Sequence, residues 1–521
     1  MPPTEALLGI DAGTGSLRAA LFALDGSPLG VAERAYGTTY PRAGWAEQAP
    51  DDWWRALVEA VRAALASAGG DGVRVLGLAI DAPCDILLAG ADGTPLSNAL
   101  MWMDLRAAEQ ARRLTETRAE VLRFCGGEVP AEWPLPKVLW LKDRDPQLWQ
   151  RAARLVEQMT WLTWKLTGEW AAPLNSASAK WHYRGGWPAD LLERAGLADA
   201  IDKLPQRVVA MGGRGGELTA TAAALLGLTP GTPVGMTGID AHVGMAGTGV
   251  LEPGTLALIT GTSTCQLAQS TGAVFDPGLW GPFEDAVVAG EWTIEAGQAS
   301  TGGTVRWLLD LVGQRWPAGE RYAAADAAAA ATPPGAEGLT VLDYWQGSRT
   351  PIRDPAARGT LWGLTTSHGP GHLLRAVYEG TAFGNRRILA TLAARGVPVS
   401  RIIACGGGTR SALWLQILSD VAGVPLELTA AGDAVALGSA VCAGVAAGLF
   451  TDLRSAAAAM VRRSACIEPR AAMRAYYDEA YGLYADTYRA LAPLFARSAS
   501  LADRRAEMTR ETPPRGLTAR G

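Results

Sequence analysis

The residues with the clearest capacity for chemistry lie in the stretch Thr237–Cys265. Asp240 sits in a glycine-flanked turn. After a Glu-Pro-Gly break, the strand-like run LALIT leads into Gly261, Thr262 and Ser263. A carboxylate in such a place can accept a proton, and a Gly/Thr/Ser turn can offer backbone N–H groups and hydroxyls to a phosphate. A second turn of this kind, Gly13, Thr14, Gly15 and Ser16, separates the apolar runs ALLGID and LRAALFAL. Asp11 ends the first of these runs, and a carboxylate there makes sense if a divalent cation lies between it and a phosphate. Taken alone, an ordinary glycine hairpin explains that segment as well.

Other candidates are scattered along the chain. The run Met101–Arg106 puts Trp102 beside Asp104 and Arg106. This trio suits a polyhydroxylated ligand, because the indole covers C–H faces while acid and base bond hydroxyls. A helix start with a charge pair is the plainer account of the same residues. Lys180 stands in SASAKWHY among small and aromatic neighbours, although a lone lysine is usually a solvated surface group. Glu295 and Gln298 lie in the Gly-rich GEWTIEAGQASTGGT, which also holds Gly303 and suits a ligand-facing turn. The strand-like RIIAC is followed by Gly406, Gly407 and Gly408, and then by a helical run from Ser411. That order lets a nucleotide approach the backbone closely.

The elements that must position these residues follow from patterning. Apolar runs joined by Gly or Asp-Gly turns predict strands over residues 6–33, and VRVLGLAID predicts a strand ending at Asp81. Residues 114–168 read as helical and Trp-rich, and 371–395 as one long helix. The small-residue run 434–450 is short for a bilayer span and reads as a buried helix packed closely on a neighbour. The two halves echo each other: ALLGIDAGTGSLRAALF and TLALITGTSTCQLAQ both run strand, small hydroxyl turn, strand. Two such turns from duplicated domains could grip one polyphosphate across a cleft.

Composition narrows the function classes. At 521 residues the chain is too long for one core, so two large domains are expected, at 1–250 and 251–495, with 496–521 as a disordered tail. A net charge of −5 with no basic block argues against nucleic acid as a partner. Six scattered cysteines without a CxxC pair, together with four histidines, argue against a structural zinc site. No basic-then-apolar leader is visible, and a reducing cytoplasm with no membrane association is the expectation.

Taken together, these motifs resemble the FGGY carbohydrate kinase family, within the actin-like ATPase superfamily. The likeness covers roughly residues 6–490, with the motifs in family order, and is closest to the ribulokinase-like branch. DAGTGSLRA resembles the first phosphate motif, GIDAHVG the catalytic-acid motif, GTSTC the second phosphate motif and CGGGTRSALWLQILSDVAG the adenosine motif. Leu105 stands where the family often has His, and Ser348 where it often has Asn.

The resemblance implies an α/β fold of two ribonuclease-H-like domains with a cleft between them. It also implies ATP and Mg²⁺ as cofactors and a small sugar, most simply a ketopentose such as ribulose, as substrate. A homodimer is compatible with it. Asp240 matches the general base, and Asp11, with Asp240, the acids near the metal. Asp81, Trp102, Asp104, Arg106, Lys180, Glu295 and Gln298 match the sugar side. Gly13, Thr14, Gly15, Ser16, Arg18, Gly261, Thr262, Ser263, Gly303, Gly406, Gly407, Gly408 and Ser411 match the nucleotide side.

Overall fold

The computed structural model describes residues 3–317 and 319–511. Its architecture is α/β, with two domains built on sheets of matching order. In the first, the strands Thr4–Ala12, Ser16–Phe22 and Pro28–Ala35 form an antiparallel meander. Val73–Asp81 pairs in parallel with the free edge of Thr4–Ala12, and Pro233–Gly235 pairs in parallel with Val73–Asp81. Arg214–Glu217 closes that edge. The second sheet repeats the order. Thr255–Thr260, Thr264–Ser270 and Trp292–Gln298 are antiparallel, Arg401–Gly406 runs parallel to Thr255–Thr260, and Leu426–Thr429 runs parallel to Arg401–Gly406. The two turns singled out in the sequence therefore occupy equivalent hairpins of duplicated domains.

Each sheet has its own core, and a third buried cluster joins them, mixing Leu7 and Ala79 of the first sheet with Ala257 and Ile403 of the second. Two helices fill this junction. Asp240–Thr248 follows the last parallel strand of the first sheet, and Ala434–Ala446 follows its counterpart in the second. They touch backbone to backbone, as the small residues of 434–450 lead one to expect. A Cβ on Gly438 would stand 2.1 Å from the Val243 carbonyl oxygen, one on Gly247 1.6 Å from that of Ala434, and one on Gly9 1.8 Å from that of Ala436. Gly438→Ala should therefore force the helices apart and cost about 1–3 kcal/mol, as overpacked cores do. Urea denaturation of the two proteins measures it.

Two expectations need correction. Glu295 and Gln298 lie on the strand Trp292–Gln298, paired on both sides, and not on a turn. The final helix, Arg474–Glu511, runs without a break past 496, where a disordered tail was expected, and residues 512–521 lie outside the described ones. The triple glycine leads first into a short 3₁₀ turn, Gly407–Arg410, before the helix Ala412–Ala422. Among the described residues, no helix is long and apolar enough to cross a membrane.

Candidate active site

The acids gather where the strands of the first sheet end. Asp11 and Asp81 are register partners at the ends of adjacent parallel strands. Asp81 is fully buried; its Oδ2 accepts from the Ser439 hydroxyl at 2.6 Å, and its Oδ1 has no partner. Burial, and then the charges of Asp433 and Asp240, push Asp11 up to about 7. Burial and the neighbouring Asp11 push Asp81 well above the usual carboxylate range. Two packed carboxylates with an unpartnered oxygen are a place where a cation would relieve repulsion. Among the described residues, no three or more His, Cys, Asp or Glu side chains gather as a metal cluster. A site of this kind suits Mg²⁺, which is commonly held by one or two carboxylates, with phosphate oxygens and water completing its shell.

Asp240 opens its helix and is half-buried, its Oδ1 accepting the Ala241 N–H at 2.7 Å. Burial raises its pKa and Glu295 adds to the rise, while the Ala241 N–H and Lys180 act against it. A raised carboxylate in a cleft is a better proton acceptor than a free one.

Close to Asp240 lies a cluster of side chains drawn from both domains. The Lys180 ammonium is 2.7 Å from Glu295 Oε2, and His242 Nε2 approaches the same oxygen at 3.2 Å. Despite burial, which pushes the other way, Lys180 and His242 hold Glu295 down at about 2. Aromatic faces cage the ammonium, with Trp133 at 4.9 Å and Trp280 at 5.3 Å from ring centre to Nζ. Arg349 reaches from the second domain over Trp280 and Trp102 and pairs with Glu132 of the first at 2.9 Å.

Trp102 is clamped from two sides. Its N–H donates to Asp85 Oδ1 at 2.5 Å, while the buried Lys137 ammonium donates to the carbonyls of Met101, Trp102 and Glu132 at 2.6, 2.8 and 2.7 Å. The Trp102 indole N–H then donates to the Thr14 hydroxyl at 3.1 Å, linking this cluster to the first turn.

Asp104 and Arg106 are differently engaged. Asp104 is fully buried and accepts from the Ala46 N–H and from Arg106. Arg106 also pairs with Glu47 at 2.8 Å and stacks 3.9 Å over Trp45. Asp104 accepts from four donors of the protein, and Arg106 spends its Nε and Nη2 donors on Asp104 and Glu47, as in the plainer charge-pair account. Asp104→Ala should therefore appear first as lost thermal stability. Gln298 is likewise spent internally, donating to Asp343 and the Thr381 carbonyl and accepting from Gln266.

In the hairpin turns and the glycine run, Gly15, Gly261, Thr262, Gly406 and Gly407 are exposed. Gly13 and Thr14 are half-buried beside them, and Ser16 donates to Glu33 at 2.5 Å. Gly261 donates its N–H to the Ser263 carbonyl, and Gly303 donates its own to that of Thr262. Arg18 crosses to the second domain and pairs with Asp433 at 2.5 Å. Ser411 caps the following helix through the Trp414 N–H at 3.0 Å and donates to Asp326 at 2.5 Å.

The three glycines differ. A Cβ on Gly406 would meet the Thr260 carbonyl oxygen at 2.1 Å and one on Gly408 the Thr260 hydroxyl at 2.8 Å, whereas one on Gly407 would meet nothing within 4 Å. Packing explains the first and third glycine, and the middle one faces open space. Gly407→Ala should thus fold normally, and on the family resemblance it is expected to raise the KM for ATP by about tenfold, a loss of ~1.4 kcal/mol, with the sugar KM nearly unchanged. Steady-state kinetics with each substrate varied in turn checks this.

The sequence reading did not single out Asp85, Glu132, Lys137, Asn175, His242 or Arg349. Lys137 and Arg349 lie in LPKVLWLK and YWQGSRTP, segments noted without a role for these side chains.

Duplicated sheets, each with a glycine-and-hydroxyl hairpin turn and the first with acids at its strand ends, give the architecture of the actin-like ATPase fold. Comparisons with known proteins give the family. Models of the FGGY family of carbohydrate kinases match residues 6–247 (N-terminal domain) and 256–447 (C-terminal domain). The chain belongs to this family and is an ATP-dependent carbohydrate kinase.

Among its relatives is an FGGY carbohydrate kinase domain-containing protein of Homo sapiens, 32% identical over 92% of this chain and 96% of that one. A ribulokinase of Anoxybacillus flavithermus is 32% identical over 85% of this chain and 86% of its own. The crystal structure of a xylulose kinase from Rhodospirillum rubrum superposes with a TM-score of 0.83 at 30% identity, covering 94% of this chain and 100% of that one.

Proposed function

We propose that the enzyme transfers the γ-phosphoryl group of ATP to a primary hydroxyl of a small sugar, a ketopentose such as ribulose being the favoured acceptor. The observation carrying this reading is the position of Asp240. Its charge is felt by Asp11 on one side, and it feels Lys180 and Glu295 on the other. A carboxylate there can take the hydroxyl proton as the oxygen attacks the phosphorus in line.

Lys180 and Glu295 would bond sugar hydroxyls, with Trp102 covering a C–H face. The turns at 13–16 and 261–263, with Arg18, would bond phosphate oxygens as charge spreads over them. Asp11 and Asp81 would hold Mg²⁺, which when bound offsets phosphate charge. Gly407 would lie against the nucleoside. In this reading Asp81 moves from the sugar to the metal side, and Asp104, Arg106 and Gln298 support the walls of the pocket.

Relatives named as ribulokinases at about one-third identity support the pentose reading, and the xylulose kinase neighbour keeps a second ketopentose in view. A coupled ADP-release assay across ribuloses, xyluloses and pentitols of both hands tests it. Sugar-dependent ADP release led by a ribulose is the expected result. ADP release that ignores added sugar would overturn it.

A further inference from the structure

The hydrogen bonds around Asn175 over-determine a proton position in the candidate site. Asn175 is fully buried on the helix Leu174–Lys180. Its Oδ1 accepts the Ile239 N–H at 2.9 Å, which fixes which end of the amide is oxygen. Its Nδ2 donates to the Ala286 carbonyl at 2.7 Å, a partner that can only accept. One Nδ2 proton remains, and it points at His242 Nδ1, 3.0 Å away. Turning the amide over would set donor against donor at Ile239 and acceptor against acceptor at Ala286. His242 Nδ1 must therefore be the bare, accepting nitrogen, and the ring proton must reside on Nε2. That nitrogen faces Glu295 Oε2 at 3.2 Å, to which it donates.

A second observation shows that the contact is built in. A Cβ on Gly238 would lie 2.2 Å from Asn175 Oδ1, so only glycine lets the backbone before Asp240 come this close to the amide.

We propose that Asn175 and His242 are positioning residues for phosphoryl transfer. Asn175 locks His242 as its Nε2–H tautomer, His242 holds Glu295 in place against Lys180, and the same amide anchors the backbone that presents Asp240. Neither residue need touch the substrate. The proposal rests on the reading of the Lys180–Glu295 pair as the sugar side and Asp240 as the base.

The test has a spectroscopic and a kinetic arm, both on the full chain. With only four histidines in the protein, long-range ¹H–¹⁵N correlation spectra can resolve each ring, and the His242 signals are those missing from His242→Gln. The expected result is a protonated Nε2 and a bare Nδ1 for His242 in the wild type, and a mixture of tautomers in Asn175→Leu. A protonated Nδ1 in the wild type would overturn the proposal without any variant.

In the kinetic arm, the varied sugar is the one giving the fastest ADP release in the panel above. A glutamine amide reaches the place of Nε2 and keeps a donor for Glu295, whereas an asparagine amide ends near Nδ1 and leaves Glu295 without one. His242→Gln should stay within about tenfold of wild-type kcat/KM for the sugar, and His242→Asn should lose about 10–100-fold more, the worth of a hydrogen bond to a charged group. Equal losses in both would sink the positioning role. If Asp240→Asn keeps its turnover while the tautomer is as stated, the base assignment fails and the Asn175–His242 lock stands.

Discussion

Asp240→Asn is expected to lower turnover by about 10²–10⁴-fold while leaving sugar binding largely intact, because an amide keeps the shape of the carboxylate and cannot accept a proton. The surroundings make the change a clean one. Among the described residues Asp240 forms a single hydrogen bond, with the Ala241 N–H, and an asparagine Oδ1 can accept that bond equally well. Stability should therefore hardly change. The pH profile gives an independent check. Burial raises the pKa of Asp240, so the acid limb of wild-type kcat/KM should lie at higher pH than for an ordinary carboxylate. Activity should rise as pH climbs through that raised value, because only the ionised form can take the proton. In Asp240→Asn this limb should vanish from the residual rate. Near-normal turnover would show that another group takes the proton.

Local features were the legible ones. A hairpin with a glycine and hydroxyl turn is written in a dozen consecutive residues, so both hairpin turns and the duplication could be read from ALLGIDAGTGSLRAALF and TLALITGTSTCQLAQ. Acids that end strands, Asp11 and Asp81, were visible for the same reason. What failed depended on partners far away in the chain. Asp104 and Arg106 have the residue types of a sugar site, and nothing local reveals that the Ala46 N–H and Glu47 engage them. Glu295 and Gln298 were read as lying on a turn because Gly297 interrupts their run, yet pairing with Thr264–Ser270 keeps the segment extended. Lys180 and Glu295 were expected together on the sugar side and do meet, 115 residues apart, whereas the tie between Arg349 and Glu132 across 217 residues was not foreseen. A cluster shared by two domains leaves no contiguous signature.

Lys180→Met should be the most damaging change on the sugar side, and its cause can be separated from simple unfolding. Lys180 and Glu295 are both buried, with side chains 7% and 9% exposed. Removing the ammonium leaves a carboxylate among Trp133, Trp280 and Phe283 with His242 as its remaining close partner. Breaking one side of a buried pair commonly costs about 3–5 kcal/mol, because the other charge stays desolvated. The same logic gives a pH signature. Glu295 is held at about 2, below its usual value of 4.5, so its contribution to stability is present above about 4.5 and is lost as pH falls towards 2. In Lys180→Met the group loses the partner that depressed it, and this acid-side loss should shrink. The double variant Lys180→Met with Glu295→Gln removes both charges and should regain much of the lost stability, since two neutral side chains leave nothing unpaired. It should not regain activity, because both groups proposed to bond the sugar are gone. Chemical denaturation and kinetics on the two single variants and the double variant form one cycle. Recovery of stability without recovery of kcat/KM is the expected outcome. If the double variant phosphorylates the sugar at the wild-type rate, the pair is a structural tie between the domains and takes no part in recognition.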